Sequence, residues 1–398
     1  RHVSLGQRPG SWMAVALDLP GPTTTDDVEQ AWRAVIARHG TLSTVFNAKP
    51  NASGTPTLVL NAVEVNGAQW TAHQVPAAVS SAQVLRAVFD AGCQPFARPA
   101  YLLVAAGLDR SRPRVVIGLD HSHADAWSLR VLARDLHVCL ADVAAARVPG
   151  ARLPPAAPFA QHSAMMETMP AAPAQVHRRW DEILSAGNGL MPTFPMPLGD
   201  LRCPAPQVVE IRDIFTADEL ARYEERLRTK GLRMLPAVIS VMTSIFADLA
   251  GQPLRAVLPV HSRHEQRWHD SVGWFITNAV LESRDADPAA CAVALKEALQ
   301  LGSHPLAPIM APYGGMPSGP GMFALSWMDN RRLPIRVGPD LSLQHVSAVI
   351  ETDGVMIWFV VSEAGLHLRC RYPDTSPARA SVSYWLDVLC AELANRAN

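Results

Sequence analysis

Nine consecutive residues, Asp120-His121-Ser122-His123-Ala124-Asp125-Ala126-Trp127-Ser128, gather two imidazoles, two carboxylates and two hydroxyls. Such side chains can move protons. Neutral imidazoles in general ionise near pH ~6.5, so a histidine facing a cleft can take a proton from a hydroxyl or amine as it attacks. In that reading His121-x-x-x-Asp125 holds a general base, and Asp125 pins the loop through an ion pair with a distant cation. A structural reading uses the same residues. Asp125 stands where an N-cap belongs, its charge suits a helix N-terminus, and a histidine beside a buried strand is often a hydrogen-bonded core residue.

A metal is the third reading. His121, His123 and Asp125 match the opening of the His-x-His-x-Asp-His signature of metallo-β-lactamase-like hydrolases. Position 126 is Ala where that signature closes on His, and no second ligand set follows, whereas a dinuclear site needs several more ligands and ordered partners behind them. On the motif alone, all three readings stand open.

The elements that must position the cluster flank it. Val115-Val116-Ile117-Gly118-Leu119 reads as a buried strand, and the residues from Leu129 onward have helical spacing to about Ala146. A strand-to-helix junction is where a rigid scaffold can present polar groups. Upstream, 12–19 predicts a strand broken by Pro20-Gly21-Pro22. Thr25-Asp26-Asp27 then caps a helix with Val28, Ala31, Trp32, Val35 and Ile36 on one face. Strands are expected at 42–46, 57–60, 101–105 and 114–119, with a helix near 81–89. Residues 148–206 are crowded with proline and predict a connector with one helix near 175–186. The second half predicts a strand at 208–211, helices over 218–230 and 236–249, and a last amphipathic helix near 377–396. Its other strands are expected at 256–260, 271–281, 322–328, 342–350, 355–361 and 366–372. Without strict βαβ alternation, this pattern predicts two α/β or α+β layers rather than a doubly wound sheet.

A chain of 398 residues is long for a single core, so two domains are expected. Its 48% hydrophobic and 18% charged residues mark a globular protein. A net charge of −1 without a basic run argues against nucleic acid as a partner, and no apolar run nears the ~20 residues of a membrane span. Cys93, Cys139, Cys203, Cys291, Cys370 and Cys390 are scattered without a Cys-x-x-Cys pair, which fits free thiols in a reducing cytoplasm. The opening Arg1-His2-Val3-Ser4 has no initiator Met and no signal-peptide pattern, so a trimmed or excised chain is expected.

The chain resembles the condensation-domain superfamily, which includes nonribosomal peptide synthetase condensation domains, polyketide-associated acyltransferases and, more distantly, chloramphenicol and carnitine acyltransferases. The family motif is His-His-x-x-x-Asp-Gly; its second His matches His121 and its Asp matches Asp125. Further similarity lies in Leu19-Pro20-Gly21-Pro22 with the segment 31–46, in Phe215-Thr216-Ala217-Asp218-Glu219-Leu220, and in Leu258-Pro259-Val260-His261-Ser262-Arg263. Val272-Gly273-Trp274-Phe275-Ile276-Thr277-Asn278 is similar to the family's Val-Gly-x-Phe-x-Asn segment, and Phe323-Ala324-Leu325-Ser326-Trp327-Met328-Asp329 to a strand near the tunnel floor. Asp120 replaces the family's first His, and Ala126 its Gly.

The resemblance implies an α/β fold of two chloramphenicol-acetyltransferase-like subdomains in a V-shaped pseudo-dimer with a tunnel between them. The halves would be 1–175 and 206–398, joined by a Pro-rich connector at 176–205. His121 would be the catalytic base at the tunnel's midpoint. Asp125 and Arg263 would pair structurally across the domain interface. Asp120, His123, Ala126, Trp127, Ser128 and Asn278 are candidate tunnel residues, while Trp274 and Phe275 read as core. Holding two substrates in line can supply several kcal/mol, up to about 7–11 in ideal models. The implied donor is an acyl thioester on a carrier protein's phosphopantetheine or on coenzyme A. No bound cofactor or metal is implied, and a monomer is expected. Asp120-His121 with Ser128 leans towards the polyketide-associated branch and an alcohol acceptor. Amide formation is the alternative, then a non-catalytic carrier-protein docking domain, then the metal-dependent hydrolase.

Overall fold

Runs of β-branched and aromatic residues, such as Val115-Val116-Ile117 and Ile357-Trp358-Phe359-Val360-Val361, form the central strands of a mixed α/β architecture in a computed structural model. The structure describes residues 12–50, 56–65 and 69–397; the opening Arg1-His2-Val3-Ser4 lies outside them. In chain order the first elements are β1 (Trp12–Asp18), α1 (Thr25–Arg38), β2 (Thr44–Pro50), β3 (Pro56–Ala62), α2 (Ser81–Gly92), β4 (Tyr101–Ala106) and β5 (Arg114–Asp120). Next come α3 (Ala126–Ala144), α4 (Phe159–Thr168), α5 (Ala174–Ser185), β6 (Ala205–Thr216), α6 (Ala217–Thr229), α7 (Met234–Ala250), β7 (Leu254–His261) and β8 (Ile276–Ser283). The last are α8 (Pro288–Leu301), α9 (Leu306–Met310), β9 (Phe323–Asp329), β10 (Gln344–Ser347), β11 (Glu351–Thr352), β12 (Val355–Ser362), β13 (Gly365–Pro373) and α10 (Ser376–Ala397).

Two compact units emerge, and they do not follow chain order. Unit 1 comprises 1–168, 263–275 and 334–349; unit 2 comprises 169–262, 276–333 and 350–398. Unit 1 holds the antiparallel sheet β10-β1-β5-β4 and the hairpin β2-β3. β1 and β5 are buried along most of their length, as expected of central strands covered on both faces. Helices α1 and α3 pack together, with Val28, Val35, Val131, Leu132 and Leu136 fully buried. Thr24 and Asp27 form a reciprocal capping box at α1.

Unit 2 is built on the sheet β11-β6-β13-β12-β9-β7-β8, in which β9 runs parallel to both β12 and β7. One face packs against helices through Ile357, Phe359, Leu368 and Cys370, together with Phe246 of α7 and Trp385 of α10. Thr216 and Glu219 box the start of α6, and Gly251, at φ 60°, ends α7 in the left-handed region.

The structure departs from the sequence expectations in several places. The strand expected over 342–350 is only β10 at Gln344–Ser347, and the sequence reading predicts neither α8 nor α9. Three further differences are local. The strand expected over 271–281 begins at Ile276, because Gly273 and Phe275 donate their amides to side chains rather than to a ladder. The Pro-rich stretch holds a second helix, α4, ahead of α5. Residues 40–43 form a helical turn before β2 starts at Thr44. Among the described residues no single helix is long and apolar enough to cross a membrane.

Candidate active site

The junction between β5 and α3 is closed by its own side chains. Asp120 ends β5, buried, and its carboxylate accepts the backbone N–H of Ser122 at 2.9 Å, an Asx turn that reverses the chain. The Ser122 hydroxyl donates to the same oxygen. His123 points inward, with Nε2 donating to the Thr44 carbonyl at 3.1 Å and Nδ1 3.0 Å from Ser122 Oγ. Burial pushes the His123 imidazole below its ordinary pKa, against the opposing pull of Asp120.

His121 points elsewhere. Its Nδ1 lies 2.8 Å from the Ala124 carbonyl oxygen. A carbonyl can only accept, so Nδ1 carries the proton, and the neutral ring then has its lone pair on Nε2. No described residue bonds Nε2, and the side chain is half-buried. The Trp274 ring lies beside the imidazole, 4.4 Å between centroids at 55°. The loop thus fixes both tautomer and ring orientation, the two things a proton acceptor needs before its substrate arrives.

Beneath the turn lies a buried ionic lock. Asp125 caps α3, accepting the Ser128 N–H at 2.7 Å. Its two oxygens take Arg263 Nη2 at 3.0 and 3.1 Å, and Oδ2 also accepts the Phe275 N–H at 3.1 Å. Arg263 Nη1 donates to the carbonyls of Trp268 at 2.8 Å and Ser271 at 2.7 Å. The guanidinium lies 3.7 Å from the Phe275 ring centroid and 5.3 Å from that of Trp127. Burial lowers the Arg263 pKa, and Asp125 opposes it. Ser128, fully buried, accepts from Arg263 Nη2 at 2.7 Å and Gly273 N–H at 3.1 Å. A Cβ on Gly273 would sit 2.4 Å from the Phe159 ring, so only glycine fits there. Both ends of the lock belong to unit 1: Arg263 opens the segment 263–275 that this unit takes from the second half of the chain.

The candidate residues thus separate. His121, Asp125, Arg263, Ser128 and Trp127 lie in one unit-1 cluster with Asp120 and His123. Asp120, His123, Trp127 and Ser128 had been expected along a tunnel, but they are buried with their polar groups engaged inside the protein; the Trp127 indole donates to the His269 carbonyl at 2.9 Å. They form the frame behind His121. Ala126, the first residue of α3, is half-buried. Asn278 belongs to unit 2, on β8, its amide 3.6 Å from the Met316 sulfur. His121, His123 and Asp125 do not converge, and no group of three His, Cys, Asp or Glu among the described residues could hold a metal ion. Trp274, read as core, flanks the His121 ring instead; the signal available was its place beside Gly273 in the Val-Gly-x-Phe segment.

No protein-family model matches the sequence. Acyltransferase PapA3 of Mycobacterium tuberculosis is 24% identical over 290 residues, covering 68% of this chain and 61% of PapA3. A probable non-canonical nonribosomal peptide synthetase, CymA of Salinispora arenicola, is 26% identical over 295 residues, 72% of this chain and 4% of CymA. Among solved structures, PapA2 acyl transferase superposes with a TM-score of 0.82 at 21% identity, covering 100% of this chain and 88% of that one. The first condensation domain of the calcium-dependent antibiotic synthetase gives 0.72 at 15% identity, covering 98% and 93%. The chain has the fold of these condensation-domain and acyltransferase structures. Its match spans about three-fifths of the length of the curated acyltransferase it resembles, 61%. His121 and Asp125, which match the motif histidine and aspartate, both occupy the β5–α3 junction.

Proposed function

We propose that the chain is an acyltransferase that moves an acyl group from a thioester to an alcohol, with His121 Nε2 as the general base. The observation that carries this reading is the Nδ1–Ala124 hydrogen bond, which leaves Nε2 of the half-buried motif histidine as an acceptor that no described residue bonds. Nε2 takes the acceptor's proton as its oxygen attacks the thioester carbonyl. The C–O bond forms, the C–S bond breaks, and the imidazolium returns the proton to the departing thiolate. No covalent acyl-enzyme is required. Asp125 and Arg263 act as positioning residues: they hold the start of α3 and the 263–275 segment, which carries Trp274, against the imidazole. The donor is an acyl group on coenzyme A or on a carrier protein's phosphopantetheine.

The similarity to PapA3 and PapA2 supports an acyl-transfer reading, and the likeness to CymA supports amide formation as the second. The test pairs acyl-coenzyme A and acyl-pantetheine donors with alcohol and amine acceptors, with products identified by mass. The parent should yield esters, and a folded His121→Ala variant should lose about 10²–10⁴-fold in turnover, the usual contribution of a general base. Unchanged turnover in His121→Ala would remove His121 from the role. Amides alone would move the assignment to the second reading, and partner binding without turnover in the parent would make the chain a docking module.

A further inference from the structure

A short turn between α1 and β2 lies against the segment that carries Trp274. Residues Gly40–Ser43 form it, and Thr41 within it is buried. The Thr41 hydroxyl donates to the Val272 carbonyl at 2.7 Å, across 231 positions of sequence. Both ends of this bond belong to unit 1. The acyl-transfer chemistry gives it no role, and the lock of Asp125, Ser128 and Arg263 does not include it.

Its target is one edge of a single peptide plane. The carbonyl of Val272 and the amide of Gly273 belong to the same planar unit and point in opposite directions. Thr41 holds the carbonyl, and Ser128 Oγ accepts the amide at 3.1 Å. Two hydroxyls from different elements, the 40–43 turn and α3, thus grip the plane from its two sides. The Thr41 bond is the shorter, and Thr41 Oγ1 makes no other hydrogen bond among the described residues. The Ser128 oxygen, by contrast, also accepts from Arg263 Nη2 at 2.7 Å. Gly273 has no side chain to restrict its torsions, so a tilt of this plane passes on to Trp274. The Trp274 and His121 rings lie 4.4 Å apart between centroids.

The same turn reaches the β5–α3 loop from its other end. Thr44, the residue after the turn, donates its hydroxyl to the Thr41 carbonyl at 2.7 Å, and its own carbonyl accepts from His123 Nε2 at 3.1 Å. The loop that bears His121 and the segment that flanks it are therefore tied to one backbone turn.

We propose that Thr41 is a positioning residue: its hydroxyl sets the Val272–Gly273 plane and through it places the Trp274 ring against His121. The consequence for turnover rests on the acyl-transfer reading; the placement of the ring does not.

Thr41→Val deletes the hydroxyl and keeps the branched shape. The first readout is the NMR shift of the His121 ring protons, assigned by their loss in His121→Ala. A neighbouring indole displaces that shift by its ring current, and Trp274→Ala gives the value without it. Thr41→Val should move the shift towards the Trp274→Ala value, and Thr41→Ser, which keeps the donor, should restore that of the parent. The second readout is turnover. Thr41→Val should lower kcat about tenfold, inside the ~10²-fold that an ångström of misplacement can cost, with KM changed by less than about twofold. In the Trp274→Ala background the same substitution should change kcat by less than about twofold. Val28→Ala, a cavity in the buried face of α1, is the stability control: it should melt lower yet keep the parent's shift and kcat. If Thr41→Val does not fold, Thr41→Cys, with its weak S–H donor, should move the shift part of the way. An unchanged shift in the folded Val or Cys variant overturns the proposal. So does an equal loss of kcat in the Trp274→Ala background, or the same change of shift in Val28→Ala. Parent turnover in His121→Ala would instead remove the acyl-transfer role of His121, while the shift still decides the placement of Trp274.

Discussion

Removing Asp125 tests whether the buried lock governs unit 1. The Asp125 carboxylate is 3% exposed and the Arg263 guanidinium 0%, so Asp125→Ala leaves a full positive charge with no water to receive it. Breaking one side of such a pair costs about 3–5 kcal/mol, and losing the N-cap of α3 adds about 1 kcal/mol. The Phe275 amide also loses its acceptor. At ~2–4 °C per kcal/mol for a unit of about 200 residues, the melting temperature should fall by roughly 10–20 °C. Arg263→Met alone should cost a similar amount, because Asp125 and the Trp268 and Ser271 carbonyls lose their donors. In the double variant the charges vanish together, and methionine can lie on Phe275 where the guanidinium lay. The double variant should therefore be no less stable than Asp125→Ala, a coupling of at least about 2 kcal/mol. Urea unfolding followed by circular dichroism, with turnover measured on each folded variant, completes the cycle. Simple additivity, or a single variant within about 1 kcal/mol of the parent, would show that the pair does not hold this region.

Three further outcomes follow from the same geometry. Gly273→Ala should destabilise by about 1–3 kcal/mol in urea, because its Cβ would overlap the Phe159 ring; Gly273→Ala with Phe159→Leu should recover part of that loss. Trp274→Ala should leave the melting temperature within a few degrees but lower kcat more than it raises KM, since it frees the His121 ring without removing the base; an equal loss in the His121→Ala background would count against an action through the imidazole. Glu282 is held below the usual carboxylate range, its burial outweighed by the bonds from Arg179 and Arg255. Its stabilising contribution is present above the unfolded carboxylate pKa and is lost as pH falls through the lower folded value. Glu282→Gln should flatten the decline of stability from about pH 4.3 downward, and an unchanged slope would refute that assignment.

What could be read beforehand follows the range of each interaction. The cap by Asp125 and the strands β12 and β13 are local, so propensity and spacing reached them, while the cap expected at Thr25-Asp26-Asp27 lies one residue earlier, at Thr24. The pairing of Asp125 with Arg263 lies 138 positions apart, and only the family resemblance suggested it. Composition misled where backbone donors bond side chains: 271–275 looks like strand because it is apolar, yet Ser128 and Asp125 take the amides a ladder would use. It misled again at Phe159–Thr168, where neighbouring prolines hid a helix that sets Phe159 against Gly273.

The same distinction explains the candidate site. Residue type pointed to His121, but type could not separate it from His123 two positions later. The difference lies in partners. His123 gives its Nε2 proton to the Thr44 carbonyl, so its ring is committed within the fold. His121 donates its Nδ1 proton to the Ala124 carbonyl, three residues on, and no described residue bonds the opposite nitrogen. Asp120 forms the Asx turn that reverses the chain, and His121 makes a single hydrogen bond among the described residues, from Nδ1 to the Ala124 carbonyl. With aspartate at position 120, the Nδ1 bond that the proposed role of His121 relies on is in place. Asp120→His should keep the fold only if an imidazole can still accept the Ser122 amide, and turnover should track that bond rather than the charge at position 120.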